Sequence, residues 1–164
     1  MYFNELGIWC SKKHNNKVSA VKTNHGELTA DSYSVSLGSH SPEILSSVGI
    51  DIPVYPVKGY SITLPVLNDL DAPQSTIMDD KNKVGITRLG NTIRVAGIAH
   101  LTDYNSSLRE KSLHSLKKGL NNLFPHAAKE TNDINFWTGF RPSTPDSTPI
   151  IGATPYSNLY LNTG

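Results

Sequence analysis

Apolar and polar residues alternate along much of the chain with a period of two. In residues 17–24, Val18, Ala20 and Lys22 fall on one side and Val21 on the other, which predicts a strand. Asn24-His25-Gly26-Glu27 then has turn chemistry, because Asn and Gly tolerate positive φ, and Leu28-Thr29-Ala30 pairs back as a hairpin. Tyr33–Leu37 predicts another strand, ending at Gly38, and Ser41-Pro42-Glu43 puts proline at the start of a short helix over 42–48. Pro53 to Leu64 is the longest β-like segment. Val54, Lys58, Tyr60, Ile62 and Leu64 share one face, while Tyr55, Val57, Gly59, Ser61 and Thr63 share the other. Pro56 argues against a central place in a sheet at that point. After a Pro/Asp/Asn loop over 65–75, short strands at 76–79, 83–88 and 92–98 alternate with turns, the pattern of an antiparallel meander.

The clearest helix is 107–123. Ser107 and Glu110 have capping-box spacing, Leu113, Leu116, Leu120 and Leu123 recur at helical intervals, and Phe124-Pro125 ends the run. The leucines read as core and the intervening lysines as a solvated face. Residues 133–140 predict a strand with Ile134, Phe136, Thr138 and Phe140 on one face and Asn135, Trp137 and Gly139 on the other, continuing to Arg141. A Pro-rich turn over 142–149 leads to Ile150-Ile151-Gly152 and Asn158–Asn162. The expected fold class is α+β: a mainly antiparallel sheet with one long helix.

Composition changes this picture little. The 164 residues suffice for one ordinary domain. Apolar residues are 37%, on the low side, and Ser, Thr and Asn supply 45 positions. A net charge of +1 gives no electrostatic basis for nucleic-acid binding. No run approaches the ~20 apolar residues that cross a bilayer, residues 1–20 lack a basic start followed by an apolar stretch, and one cysteine, Cys10, excludes an internal disulfide. A cytoplasmic location is expected. Cys10 reads as a small buried apolar residue. The chain stops as a strand-like run reaches Gly164 and starts as abruptly, so it is expected to be a piece of something larger.

Familiar chemical signatures are missing: no G-x-G turn, P-loop, G-x-S-x-G elbow or HExxH occurs, and the six histidines lack metal-ligand spacing. The informative stretch is Phe136 to Gly152. An arginine leaving a strand end, Arg141, offers a permanent bidentate charge suited to a carboxylate. Trp137 shares its face and Gly139 leaves space between them, outlining a small pocket for an anion. The alternative is a plain ion pair between Arg141 and Asp146.

The run Gly139-Phe140-Arg141-Pro142-x-x-Pro145-Asp146-x-x-Pro149-Ile150-Ile151-Gly152 resembles the late motif of the D-amino-acid oxidase-like family of flavoenzymes. Tyr55-Pro56-Val57-Lys58-Gly59-Tyr60-Ser61-Ile62-Thr63, Phe136-Trp137-Thr138-Gly139 and Leu159-Tyr160-Leu161-Asn162-Thr163-Gly164 are similar to its dehydrogenase branch in particular. Ala30 to Ser39 is similar to the strand-and-glycine segment that returns to the flavin domain. The resemblance runs from Lys17 to Gly164, and residues 1–16 match nothing convincingly.

The resemblance implies partial FAD-binding segments at 1–52 and 142–164 around a substrate-binding domain at 53–141. It matches Arg141 to the arginine that grips the substrate carboxylate. Gly38 and Ser39 fall in a loop approaching FAD, Ile150, Ile151 and Gly152 in the segment beneath the flavin ring, and Gly164 at the first glycine of a loop lying along it. Tyr60 either faces the pocket or packs as a sheet tyrosine; for Trp137, a core position is favoured over one lining the site. The implied chemistry is oxidative deamination of D-amino acids such as D-alanine, with hydride passing to FAD and electrons to a respiratory acceptor, and with peripheral association at the inner face of the membrane. No catalytic acid–base pair or metal is needed. A glycine- or sarcosine-oxidase activity and a non-catalytic carboxylate-binding fragment are the alternatives. The G-x-G-x-x-G turn that would hold the FAD pyrophosphate is absent, so these residues alone are expected neither to retain FAD nor to be active. Two departures stand out. Ser147 stands where the family usually has glycine, and Ser34 and Ser36 put hydroxyls in a strand that is usually more apolar, which should weaken its packing.

Overall fold

The computed structural model describes residues 16–129 and 134–164 and the backbone of 9–13. The side chains of Trp9 and Cys10, and His14, lie outside the described residues. The chain divides into two compact units, 1–56 with 141–164, and 57–140.

In the first unit, β1 (Trp9–Lys13), β2 (Lys17–Thr23) and β3 (Gly26–Leu28) form an antiparallel sheet in that order. The expected hairpin is there, with Gly26 at φ +115°. A second sheet has the order β10 (Ile150–Ala153), β11 (Leu159–Thr163), β4 (Tyr33–Val35). β10 and β11 are antiparallel, whereas β11 and β4 run parallel. Helix α1 (Ser41–Ser46) carries Pro42 in its first turn, where the missing N–H costs nothing. Val18, Val35, Leu45, Val48, Leu159 and Leu161 make this unit's core. Buried Asn158 fastens β2 to it: its Oδ1 accepts from the Val18 N–H and its Nδ2 donates to the Val18 carbonyl, each at 2.9 Å. Ser34 and Ser36 are exposed while Val35 between them is buried, so their hydroxyls face away from the core and the expected weakening of packing does not arise.

The second unit holds a five-stranded sheet in the order β6 (Ile77–Asp79), β7 (Val84–Leu89), β8 (Thr92–Leu101), β5 (Tyr55–Pro65), β9 (Asn135–Ser143). The meander β6–β7–β8–β5 is antiparallel. β5 is central despite Pro56, because its ladder with β8 begins only at Val57. Helix α2 (Glu110–Leu123) buries Leu116 and Leu120 among Tyr60, Ile62, Leu64, Val84, Ile86, Ile93 and Val95. Gly119 lets it approach β7, since a β-carbon there would lie 2.7 Å from Val84 Cγ2. The expected capping box does not form. α2 starts at Glu110 behind Arg109, with no side-chain cap, and Ser107 lies outside it with its carbonyl taken by the Lys58 ammonium. The architecture is α+β, mainly antiparallel.

Candidate functional site

In the first unit, β4 and β11 lie side by side and parallel, pairing Tyr33 with Leu159 and Val35 with Leu161. Both end at glycine, β4 through Leu37 to Gly38 and β11 at Gly164. The carboxyl ends of parallel strands are where α/β sheets bind ligands. Gly38 has φ +54° and approaches Pro142, whose Cγ would lie 3.5 Å from a β-carbon. Gly164 has φ +113° and packs on Pro149 Cα and Thr144 Cγ2, at 3.0 and 3.2 Å from such a carbon. Side chains there would strain the backbone at both positions.

A hydroxyl relay fastens the two ends together. Thr163 Oγ1 donates to the Gly38 carbonyl at 3.1 Å, and Ser41 Oγ lies 2.7 Å from Thr163 Oγ1. Each hydroxyl has one proton, so Ser41 donates to Thr163 while accepting from the Leu37 N–H at 3.2 Å. Ser39 is buried beside them. Ile150 pairs with Thr163 in the β10–β11 ladder; Ile151 and Gly152 follow opposite Asn162 and Leu161. Gly38, Ser39, Ile150 and Gly164 therefore gather at one sheet end, with Ile151 and Gly152 one and two steps further along β10. Sequence reading missed Ser41, Pro142, Thr144 and Thr163, which hold that end together. Thr163, beside Gly164 in a singled-out run, was the available signal.

These residues fit a flavin's flat ring. Gly38, Gly152 and Gly164 all take positive φ, a β-carbon on Gly152 would meet only open space, and Gly38, Ser39, Ile150, Ile151, Gly152 and Gly164 include no ionisable side chain. Main chain without side chains lets a planar heterocycle approach closely. No pyrophosphate turn accompanies it, as the sequence lacks G-x-G.

Arg141 is exposed on β9 and has no ion-pair partner among the described residues. Asp146 is occupied within its own turn, accepting from the Thr148 N–H at 3.0 Å, and that hydrogen bond holds its carboxyl below the usual carboxylate range. The ion pair between the two is therefore not formed, and the guanidinium is available to a carboxylate. Ser147 stands in this turn at φ +64°, which explains why glycine suits the position.

In the second unit, one of the two readings of Tyr60 is met and the expectation for Trp137 changes. Tyr60 is 2% exposed, stacked 5.9 Å from Phe136, with its hydroxyl 3.2 Å from His100 Nδ1. It is a packed sheet tyrosine. Trp137 is 54% exposed rather than core: it lies on the face opposite α2, its ring folded over Gly139, where a β-carbon would collide with it. The Arg94 guanidinium sits 5.8 Å from the Trp137 ring and donates to Ser61 Oγ at 3.1 Å.

The sheet end formed by Gly38, Ser39, Ile150 and Gly164 carries no ionisable side chain, and Arg141 has no ion-pair partner among the described residues. The chain belongs to the FAD dependent oxidoreductase family, whose model matches residues 9–164. It is 50% identical over 149 residues to a D-amino acid dehydrogenase of Rhizorhabdus wittichii and 52% identical over 148 residues to one of Vibrio cholerae, covering 91% and 90% of this chain. The chain spans about a third of these relatives' length, 36% and 35%. The crystal structure of a glycine oxidase from Bacillus cereus matches with a TM-score of 0.79 at 25% identity, over 97% of this chain and 44% of that one.

Proposed function

We propose that this chain carries the carboxylate-gripping and flavin-facing part of a FAD-dependent D-amino acid dehydrogenase. The half-identity to relatives of that name across nine-tenths of the chain carries the reading. In it, 53–141 serves the substrate, and 1–52 with 142–164 serves the flavin. Arg141 holds the substrate carboxylate in a bidentate fork and so fixes which hydrogen on Cα points at the cofactor. Main chain at Gly38, Ser39, Ile150, Ile151, Gly152 and Gly164 would hold the flavin. The hydride on Cα would pass to a bound FAD, and hydrolysis of the released imine would give a 2-oxo acid and ammonia. The chain contributes position and exclusion of water rather than a general acid or base. Electrons leave to a respiratory acceptor at the inner face of the membrane; among the described residues no helix is long and apolar enough to cross one.

The test replaces the matching span of the Vibrio cholerae relative with this chain. Arg141→Leu is expected to lower kcat/KM for D-alanine by about a hundredfold or more, and Arg141→Lys to restore part of it. An unchanged KM and kcat for Arg141→Leu refutes the assignment. The likeness to glycine oxidase favours a second reading, oxidation of glycine; turnover of glycine with oxygen as sole acceptor selects it.

A further inference from the structure

Unbroken alternation along β8 would put Ile93, Val95, Gly97 and Ala99 on the face that packs against α2. The ladder departs from this at one residue. Tyr60 pairs with Gly97 and Gly59 with Ala99, leaving Ile98 as the extra residue of a β-bulge at φ +61°. That conformation is costly for a β-branched side chain, and such strain persists where its surroundings over-determine it. The bulge switches parity, so His100 takes the α2 face directly opposite Lys58, while Ala99 and Leu101 are exposed.

Two cations and a histidine gather there. Lys58 is 1% exposed, its ammonium held by the Ser107 carbonyl and lying 5.2 Å from the Tyr60 ring centre. Arg109 Nη1 lies 3.4 Å from His100 Nδ1, the nitrogen that also faces the Tyr60 hydroxyl. A guanidinium can only donate, so in its contact with Arg109 the Nδ1 nitrogen is the acceptor. Burial, then the charges of Arg109 and Lys58, keeps its pKa below the ordinary histidine range. No carboxylate pairs with Lys58, His100 or Arg109 among the described residues. Uncompensated cations at a part-buried position are unfavourable, and here a strained bulge adds an imidazole to them.

We propose that Lys58, His100 and Arg109 form a binding site for a dianion of the phosphate class. The Lys58 ammonium and the Arg109 guanidinium offer N–H donors to a dianion. Arg109 is exposed and His100 half-buried, so both are reachable from solvent, with Lys58 beneath. An anion gives Arg109 a stronger acceptor than imidazole nitrogen and frees Nδ1 to take a proton, so anion binding and protonation of His100 favour one another. The site does not use Arg141 and does not rest on the proposed reaction.

The experiment follows the His100 ring signals of the 164-residue chain by NMR across pH, in inorganic phosphate, acetate or chloride at equal ionic strength. A saturable shift in phosphate alone is expected, with the His100 midpoint raised by about one pH unit. Arg109→Gln, at an exposed position, is expected to weaken phosphate binding about tenfold while leaving the spectrum of the Tyr60–Phe136 core intact. Equal shifts in chloride, saturation by acetate at the same concentration, or undiminished binding by Arg109→Gln overturns the proposal.

Discussion

Ser147 occupies the left-handed region, where a β-carbon costs about 1–2 kcal/mol, more than the backbone freedom glycine loses on folding. Ser147→Gly is therefore expected to stabilise the chain by up to about 1 kcal/mol, read as a raised denaturant midpoint at unchanged slope. A lowered midpoint would show that the serine hydroxyl matters more than the dihedral. His100 gives the pH dependence. Its folded pKa lies below the unfolded value of about 6.5, so the unfolded chain binds the extra proton first as pH falls. Stability present above that value is lost as pH drops through the range beneath it, and His100→Gln should flatten this part of a stability–pH curve. An unchanged curve in that variant places the titration elsewhere.

Elements succeed or fail on single contacts. In an isolated helix Gly119→Ala would gain about 1 kcal/mol of propensity, but here the new methyl meets Val84, which is fully buried. Overpacking of about 1–3 kcal/mol outweighs the gain, so thermal melts should show net destabilisation. Asn158→Ala should cost about 2–4 kcal/mol by leaving both Val18 backbone groups unpaired in the core, with exchange of the β2 amides speeding up most; protection of β2 equal to that of the parent chain would rule this out. Periodicity made the strands and α2 legible, and both faces of β5 could be read because its alternation is unbroken. The start of α2 could not be read, because whether Ser107 caps a helix depends on a lysine 49 residues earlier taking its carbonyl. Trp137 misled because alternation shows that it shares a face with Gly139 but not how far that face is buried. At the candidate site, motif residues were visible as a string, whereas the Ser41–Thr163 relay joins residues 122 apart.

At the scale of the whole molecule, β10 is an edge strand with Ile151 70% exposed, and β4 is the opposite edge of that sheet. An unpaired, apolar edge is a template for pairing with another chain. Sedimentation of the 164-residue chain should show concentration-dependent association, relieved by Ile151→Lys; a monomer at every concentration excludes edge pairing. The purified 164-residue chain is also expected to carry no bound flavin, because these residues include no G-x-G turn to hold a pyrophosphate. Flavin absorbance surviving gel filtration would overturn that expectation.

The bulge at Ile98 also governs which changes of length this sheet can absorb. Removing Ile98 would close the ladder into plain alternation while leaving every side chain of β8, His100 included, on the side it already occupies. Removing a residue between 93 and 96 would turn over the stretch from the cut to the bulge. A deletion scan along 92–101 should thus tolerate gaps best at 98 and 99, where the strand gives up its one spare residue without turning His100 over.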